Sequence, residues 1–186
     1  MSHQKSPHLA LAQKYWQEHV RAEDIVVDAT AGNGHDTLFL SKLVPKGAVF
    51  SFDIQKEALE NTKKILPPDH QVTLMHQSHE TICEIPFQTA PRLIVYNLGY
   101  LPGGDKTITT QTETSLKSIQ SCLKILAEGG ALSITCYPGH EEGFREEKAI
   151  GEFFSKSLPS KEWLVCHHRF VNRPSAPSLF WVLSIK

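Results

Sequence analysis

The stretch Ile25-Val-Val-Asp28-Ala-Thr-Ala-Gly32-Asn33-Gly34-His-Asp36-Thr37, continued by Leu-Phe-Leu-Ser-Lys-Leu43, decides how the chain is read. Three β-branched residues and a closing acid form a short apolar run, the pattern of a buried strand. Gly32 and Gly34 then allow a sharp turn and let a ligand approach the backbone with no Cβ in the way. Residues 35–44 resume at helical spacing. Strand, glycine-bearing loop and helix make the first half of a parallel βαβ unit. Open sheets of that kind bind ligands at the carboxyl ends of their strands, where this loop falls. A dinucleotide fingerprint, G-x-G-x-x-G, needs a small third residue at position 37. Thr37 stands there, which disfavours a nicotinamide cofactor.

Outward from this unit, strand-like runs follow at 48–53, 72–75, 92–97, 130–136, 163–170 and 178–185. Helical stretches lie at 55–65, about 110–127 and 144–157, and a leading helix at 8–20 places Leu9, Ala12, Trp16 and Val20 on one side. Gly129-Gly130 stops the helix before the fifth strand. Alternation of strand and helix predicts a mostly parallel sheet covered on both faces. Only residues 172–177 separate the last two strands, too short a link for a crossover helix, so they must pair antiparallel. A doubly wound, seven-stranded α/β sheet ending in an antiparallel hairpin is the usual shape of class I S-adenosylmethionine-dependent methyltransferases, a Rossmann-like fold.

The 186 residues fit a single domain over 1–186, with the leading helix inside 1–22. With 40% hydrophobic residues the chain can fill a core, which excludes disorder as the whole answer. Nineteen basic against 20 acidic residues give a net charge of −1, so no global field exists to coat nucleic acid. Cys83, Cys122, Cys136 and Cys166 show no C-x-x-C spacing and read as reduced thiols, most simply small buried hydrophobes. No apolar run suits a leader or a membrane span. A cytoplasmic protein without membrane contact is expected.

Asp53 ends the second strand 19 residues after Gly34, close to the spacing of the ribose-binding acid in nucleotide folds. It can accept two ribose hydroxyls, or instead cap the helix beginning near Gln55. Asp28 lies under the glycine loop, as a contact for the amino group of the cofactor's methionine or as a turn residue. After the third strand, Ser78 and His79 read as adenine contacts, or as a cap and its neighbour. Asn97 and Tyr100 resemble the ends of the Asn-Pro-Pro-Tyr loop of amino-group methyltransferases, with Leu98 and Gly99 in place of the prolines. There the asparagine oxygen accepts from the target N–H and the ring stacks on the base. His140 borders the acceptor pocket or is a turn histidine. His167 and His168 alternate faces, one buried and one exposed, and no metal site is expected. Lys5, Lys14, Lys106, Arg169 and Arg173 can meet phosphate or serve as solvated charge.

Asp28-Ala-Thr-Ala-Gly-Asn-Gly-His-Asp-Thr37, Asn97-Leu-Gly-Tyr-Leu-Pro-Gly-Gly-Asp-Lys106 and Tyr137-Pro-Gly-His-Glu-Glu-Gly143 together resemble the YtqB-like rRNA methylases. The likeness runs from the leading helix to Leu183. That family's characterised, MnmM-type members act on 5-aminomethyl-(2-thio)uridine at the tRNA wobble position. The resemblance implies S-adenosylmethionine held by Asp28, Gly32, Asn33, Gly34, Asp36, Thr37, Asp53, Gln55, Ser78, His79 and Asn97. It implies catalysis at Asn97 and Tyr100, and substrate contact by Tyr100, Gly103, Asp105, Lys106, His140 and Arg173. The expected partner is a tRNA anticodon stem-loop rather than DNA, with a homodimer open. An rRNA or small-molecule amine acceptor is the alternative, and a non-catalytic nucleotide- or RNA-binding module a third reading.

Overall fold

A computed structural model describes residues 6–186. Seven strands, β1 (Ile25–Asp28), β2 (Ala48–Asp53), β3 (Val72–His76), β4 (Leu93–Leu98), β5 (Ala131–Cys136), β6 (Trp163–His168) and β7 (Ser178–Ser184), form one sheet in the order β3-β2-β1-β4-β5-β7-β6. The first five pair in parallel; β7 runs antiparallel to both β5 and β6. Five helices, α1 (Pro7–His19), α2 (His35–Leu43), α3 (Lys56–Ile65), α4 (Thr112–Ile125) and α5 (Glu141–Ser157), cover the two faces. Every residue of β1 and β5 is buried, as in strands covered on both faces, and apart from Asp28, Ser133 and Thr135 these strands are apolar. Among the described residues no helix is long and apolar enough to cross a membrane.

Separate cores fill the two faces. Val27, Phe52, Ile94, Tyr96, Leu132 and Phe180 pack toward α4 and α5, while Val26, Val49, Leu93, Val95, Leu179 and Trp181 pack toward α1 and α2. Trp16 anchors α1: it is wholly buried, and its indole N–H donates to Ser133 Oγ at 2.8 Å. Tyr15 beside it stacks on Trp181.

Three local expectations change. Neither His167 nor His168 is buried, because β6 is the sheet's edge strand. Their faces do alternate: His167 stacks on Phe180, and His168 meets the Tyr15 hydroxyl at 3.0 Å. Of the cysteines, Cys122 and Cys136 are buried, but Cys83 and Cys166 are exposed. Helix α5 begins at Glu141 rather than 144, since His140 caps it by accepting Gly143 N–H on Nδ1 at 3.2 Å. Gly143 belongs to this first turn because a Cβ there would lie 2.1 Å from Tyr137 O.

Candidate functional site

The strand order reverses between β1 and β4, and a cavity of about 760 Å³ opens at the carboxyl ends there, where such sheets bind ligands. From the expected set, Gly32, Asp53, Gln55, Ser78, His79, Asn97, Tyr100 and His140 lie on its wall.

At the β2 end, Asp53 accepts Gly32 N–H on one oxygen at 2.9 Å and Gln55 N–H on the other at 2.8 Å. The carboxylate thus ties the glycine loop to Gln55, the residue before α3, while lining the cavity. Burial raises its pKa above the ordinary value, opposed by these backbone bonds. Past β3, Ser78 Oγ accepts Glu80 N–H at 3.2 Å, capping a short 3₁₀ helix, His79–Glu84. His79 is nearly buried, its Nε2 has no hydrogen-bond partner, and burial lowers its pKa. Its carbonyl accepts from Ser118 Oγ at 2.7 Å, and its ring meets the edge of Tyr96.

At the β4 end, Asn97 N–H donates to Thr30 Oγ1 at 2.7 Å, locking the loops after β1 and β4 together. The Asn97 amide donates from Nδ2 to Asp36 Oδ2 at 2.8 Å; its Oδ1 is buried and has no partner. Tyr100, 40% exposed, forms the outer lip. Its ring centroid lies 5.5 Å from Lys106 Nζ and 5.9 Å from the His140 ring. His140 therefore borders the cavity and caps α5 at once.

Several expected contacts stand behind this wall instead of on it. Asp28 is completely buried; it accepts from Thr37 Oγ1 at 2.6 Å and Thr30 N–H at 3.2 Å. Burial, reinforced by the charge of Asp36, pushes its pKa up to about 7. Thr37 also shares a hydrogen bond with Ser51 Oγ at 2.8 Å, so its hydroxyl bolts the loop to β1 and β2. Gly34 faces α3: an added Cβ would sit 2.6 Å from Thr62 Cα, at a φ of +80°. Asn33 pins the loop by donating to Pro102 O at 3.0 Å and accepting from Asn61 at 3.2 Å. Asp36 holds Asn97 and accepts from Gln13 Nε2 at 3.3 Å. These five support the site rather than line it.

On the substrate side, Asp105 Oδ1 accepts from both Thr107 N–H and Thr107 Oγ1, shaping a turn. Gly103, at a φ of +86°, serves the same turn-rich loop, and Lys106 reaches the lip only through Tyr100. Arg173 is exposed and off the wall, in the loop whose Ser175 and Pro177 do line it. Arg169 lies 3.6 Å from Glu147, and Lys14 pairs with Glu18. Lys5 lies outside the described residues.

Wall residues to which the sequence assigned no role include Thr109, Thr110, Gln111, Thr114 and Tyr137. Residue Tyr100 bridges to Thr109, and Thr110 N–H donates to Gly99 O at 3.1 Å, so residues 108–111 form an outer wall. Its polar, threonine-rich stretch has no periodicity, and only the return of the chain brings it to the cavity. Tyr137 packs beside Gly99, with its hydroxyl 3.5 Å from His8 Nε2; burial pushes its pKa up to about 12.

Residues 49–184 match the family model described as "Putative rRNA methylase". A "tRNA (mnm(5)s(2)U34)-methyltransferase, chloroplastic" of Arabidopsis thaliana is 37% identical, the match covering 92% of this chain and 67% of that protein. A "putative rRNA-methylase" from Clostridium thermocellum shares the fold at a TM-score of 0.88 and 34% identity, over 96% of this chain and 97% of the other. A "putative methyltransferase" from Streptococcus mutans, solved in complex with SAH, does so at 0.86 and 31%, over 96% and 98%.

Proposed function

Since the chain belongs to the rRNA methylase family and is an S-adenosylmethionine-dependent methyltransferase, we propose that its acceptor is the amino group of a 5-aminomethyl-(2-thio)uridine at the tRNA wobble position. The observation that carries this reading is Asn97, a residue of the cavity wall whose amide is clamped through Nδ2 by Asp36 and whose Oδ1 is buried without a partner.

The wall suits the cofactor. Asp53 offers carboxylate oxygens for ribose hydroxyls, and His79 brings a buried, unpartnered ring nitrogen to the adenine end. Gly32 lines the cavity, and an added Cβ there would meet Leu101 Cδ1 at 3.8 Å and Thr30 O at 3.9 Å, ordinary contacts with no overlap. When bound, the cofactor supplies an electrophilic methyl group on a sulfonium. The protein's task is then to present a neutral nitrogen in line, and positioning of this kind is worth about 7–11 kcal/mol. Asn97 Oδ1 accepts an N–H of the amine and turns its lone pair inward. The apolar lip of Leu101, Pro102 and Ile108 disfavours the charged ammonium, which lowers the amine's pKa. Tyr100 supplies the face on which an unstacked loop base rests. The tRNA relative in Arabidopsis supports a tRNA acceptor over rRNA.

The test is turnover with S-adenosylmethionine and tRNA bearing the 5-aminomethyl group, read by nucleoside mass spectrometry. One added methyl on the wobble base is expected. Label appearing only in rRNA, or equally in free aminomethyl nucleoside, would overturn the tRNA assignment. In Asn97→Ala, kcat and kcat/KM should fall together by about 10²–10³, the sign of an interaction made in the transition state. Cofactor affinity by calorimetry should stay within about twofold; a parallel loss would make Asn97 a cofactor ligand instead.

A further inference from the structure

The two ends of an asparagine amide have nearly the same shape and opposite hydrogen-bonding character. The Asn97 backbone is fixed by Thr30, but that bond leaves the side chain free to present either end to the cavity. Its neighbour removes the choice. Asp36 stands in the first turn of α2, where the helix dipole favours a negative charge. An ionised carboxylate only accepts, so it can bind the NH₂ end of an amide and not the oxygen. Both of its oxygens are used in this way, Oδ2 by Asn97 Nδ2 at 2.8 Å and Oδ1 by Gln13 Nε2 at 3.3 Å. The remaining acceptor, Asn97 Oδ1, is buried without a partner, a condition that costs stability and persists where a ligand supplies the missing donor.

We infer that Asp36 is a positioning residue that sets the polarity of the acceptor site, holding Asn97 so that its oxygen faces the incoming nucleophile. Gln13 steadies Asp36 from α1, which makes the leading helix part of the site. The inference rests on the reading of Asn97 given above and extends it. A site of this polarity selects nucleophiles that carry an N–H or O–H. It rejects atoms that can only accept, such as a tertiary amine. It also accounts for an acid within the glycine loop region that does not line the cavity.

Reversing the pair tests this directly. In Asp36→Asn the new amide can donate to Asn97 Oδ1 and let Asn97 present its NH₂, so turnover should fall about a hundredfold. Calorimetric S-adenosylmethionine affinity should stay within about twofold, and the thermal melt should remain cooperative. Asn97→Asp sets two carboxylates face to face and should be as impaired. The double variant Asp36→Asn/Asn97→Asp restores a donor behind and an acceptor in front, and should recover at least about tenfold over either single change. Rescue shows that the two side chains act as a pair, and the unchanged melt and cofactor affinity separate this from a loss of fold. Independently of turnover, the side-chain NH₂ resonances of Asn97 in an amide nitrogen–proton spectrum should shift in Asp36→Asn.

Wild-type turnover in Asp36→Asn beside an inactive Asn97→Ala would overturn this inference alone. So would cofactor affinity that falls in step with turnover, which would make Asp36 a cofactor ligand. Full turnover in Asn97→Ala would instead overturn the reading of Asn97 on which the inference rests.

Discussion

Gly34 shows how one residue can be required for a reason other than the one its motif suggests. In a glycine loop it invites a role in ligand approach, yet the space beside it belongs to α3, with Thr62 Cα only 2.6 Å from where a Cβ would be. Its φ of +80° adds a backbone that side chains rarely adopt. Gly34→Ala should therefore destabilise the fold by about 2–4 kcal/mol in urea denaturation, the sum of backbone strain and overpacking. Gly32→Ala meets only Leu101 Cδ1 at 3.8 Å and Thr30 O at 3.9 Å. It should cost just the left-handed penalty of about 1–2 kcal/mol while weakening cofactor binding more. Equal stability loss at the two positions would show that packing on α3 is not what holds Gly34. Thr37 carries the same lesson in polar form. The hydroxyl that spoils the dinucleotide fingerprint is the group that satisfies buried Asp28.

Among the elements, α5 does more than cover the sheet. Glu142 and Glu146, one turn apart, take Thr112 N–H and Oγ1 at 2.7 Å, Thr110 Oγ1 at 2.8 Å and Ser115 Oγ at 2.6 Å. These bonds hold the start of α4 and the outer wall of the cavity. Glu146 is completely buried, and burial raises its pKa, opposed by the two hydroxyls that donate to it. Glu146→Ala should cost about 2–3 kcal/mol in denaturation, because Thr110 and Ser115 lose their common acceptor. With the outer wall loosened, KM for tRNA should rise several-fold while cofactor affinity holds. An unchanged KM would mean that residues 109–111 do not meet the acceptor. The neighbouring carboxylate, Glu147, serves a different joint: it accepts from Ser178 Oγ and lies 3.2 Å from His167 Nε2, tying α5 to the terminal hairpin.

At the scale of the molecule, a net charge of −1 leaves RNA recognition to a local patch. The structure narrows the candidates. Arg169 is drawn to Glu147 and Lys14 to Glu18, whereas Lys106 sits over the Tyr100 ring at the lip and Arg173 is exposed in the loop between β6 and β7. Binding of an anticodon stem-loop should weaken with salt at a logarithmic slope of about −2 to −3, corresponding to a few phosphates. Lys106→Ala and Arg173→Ala should each flatten that slope by about 0.7–0.9 and leave cofactor affinity alone. A salt-independent Kd would remove phosphate contact from the reading.

By itself the sequence determined the order of strands and helices, the parallel sheet with its antiparallel end and the positions of Gly32, Asp53 and Asn97. Those features are written in local periodicity, in glycines and in short spacings along the chain. Which residues line the cavity was decided only by tertiary structure. Thr109, Thr110 and Tyr137 reach it because separate loops converge at one edge of the sheet. Asp28, Asn33, Gly34, Asp36 and Thr37 stand behind it because their partners lie elsewhere: Thr37 for Asp28, Asn61 for Asn33, α3 for Gly34, and Gln13 for Asp36. The same convergence brought Gln13 behind Asp36 across 23 residues, and Asp36 behind Asn97 across 61. The polarity of an amide depends on such a distant partner, since nothing in Asn97 or its neighbours in sequence distinguishes one end of its side chain from the other.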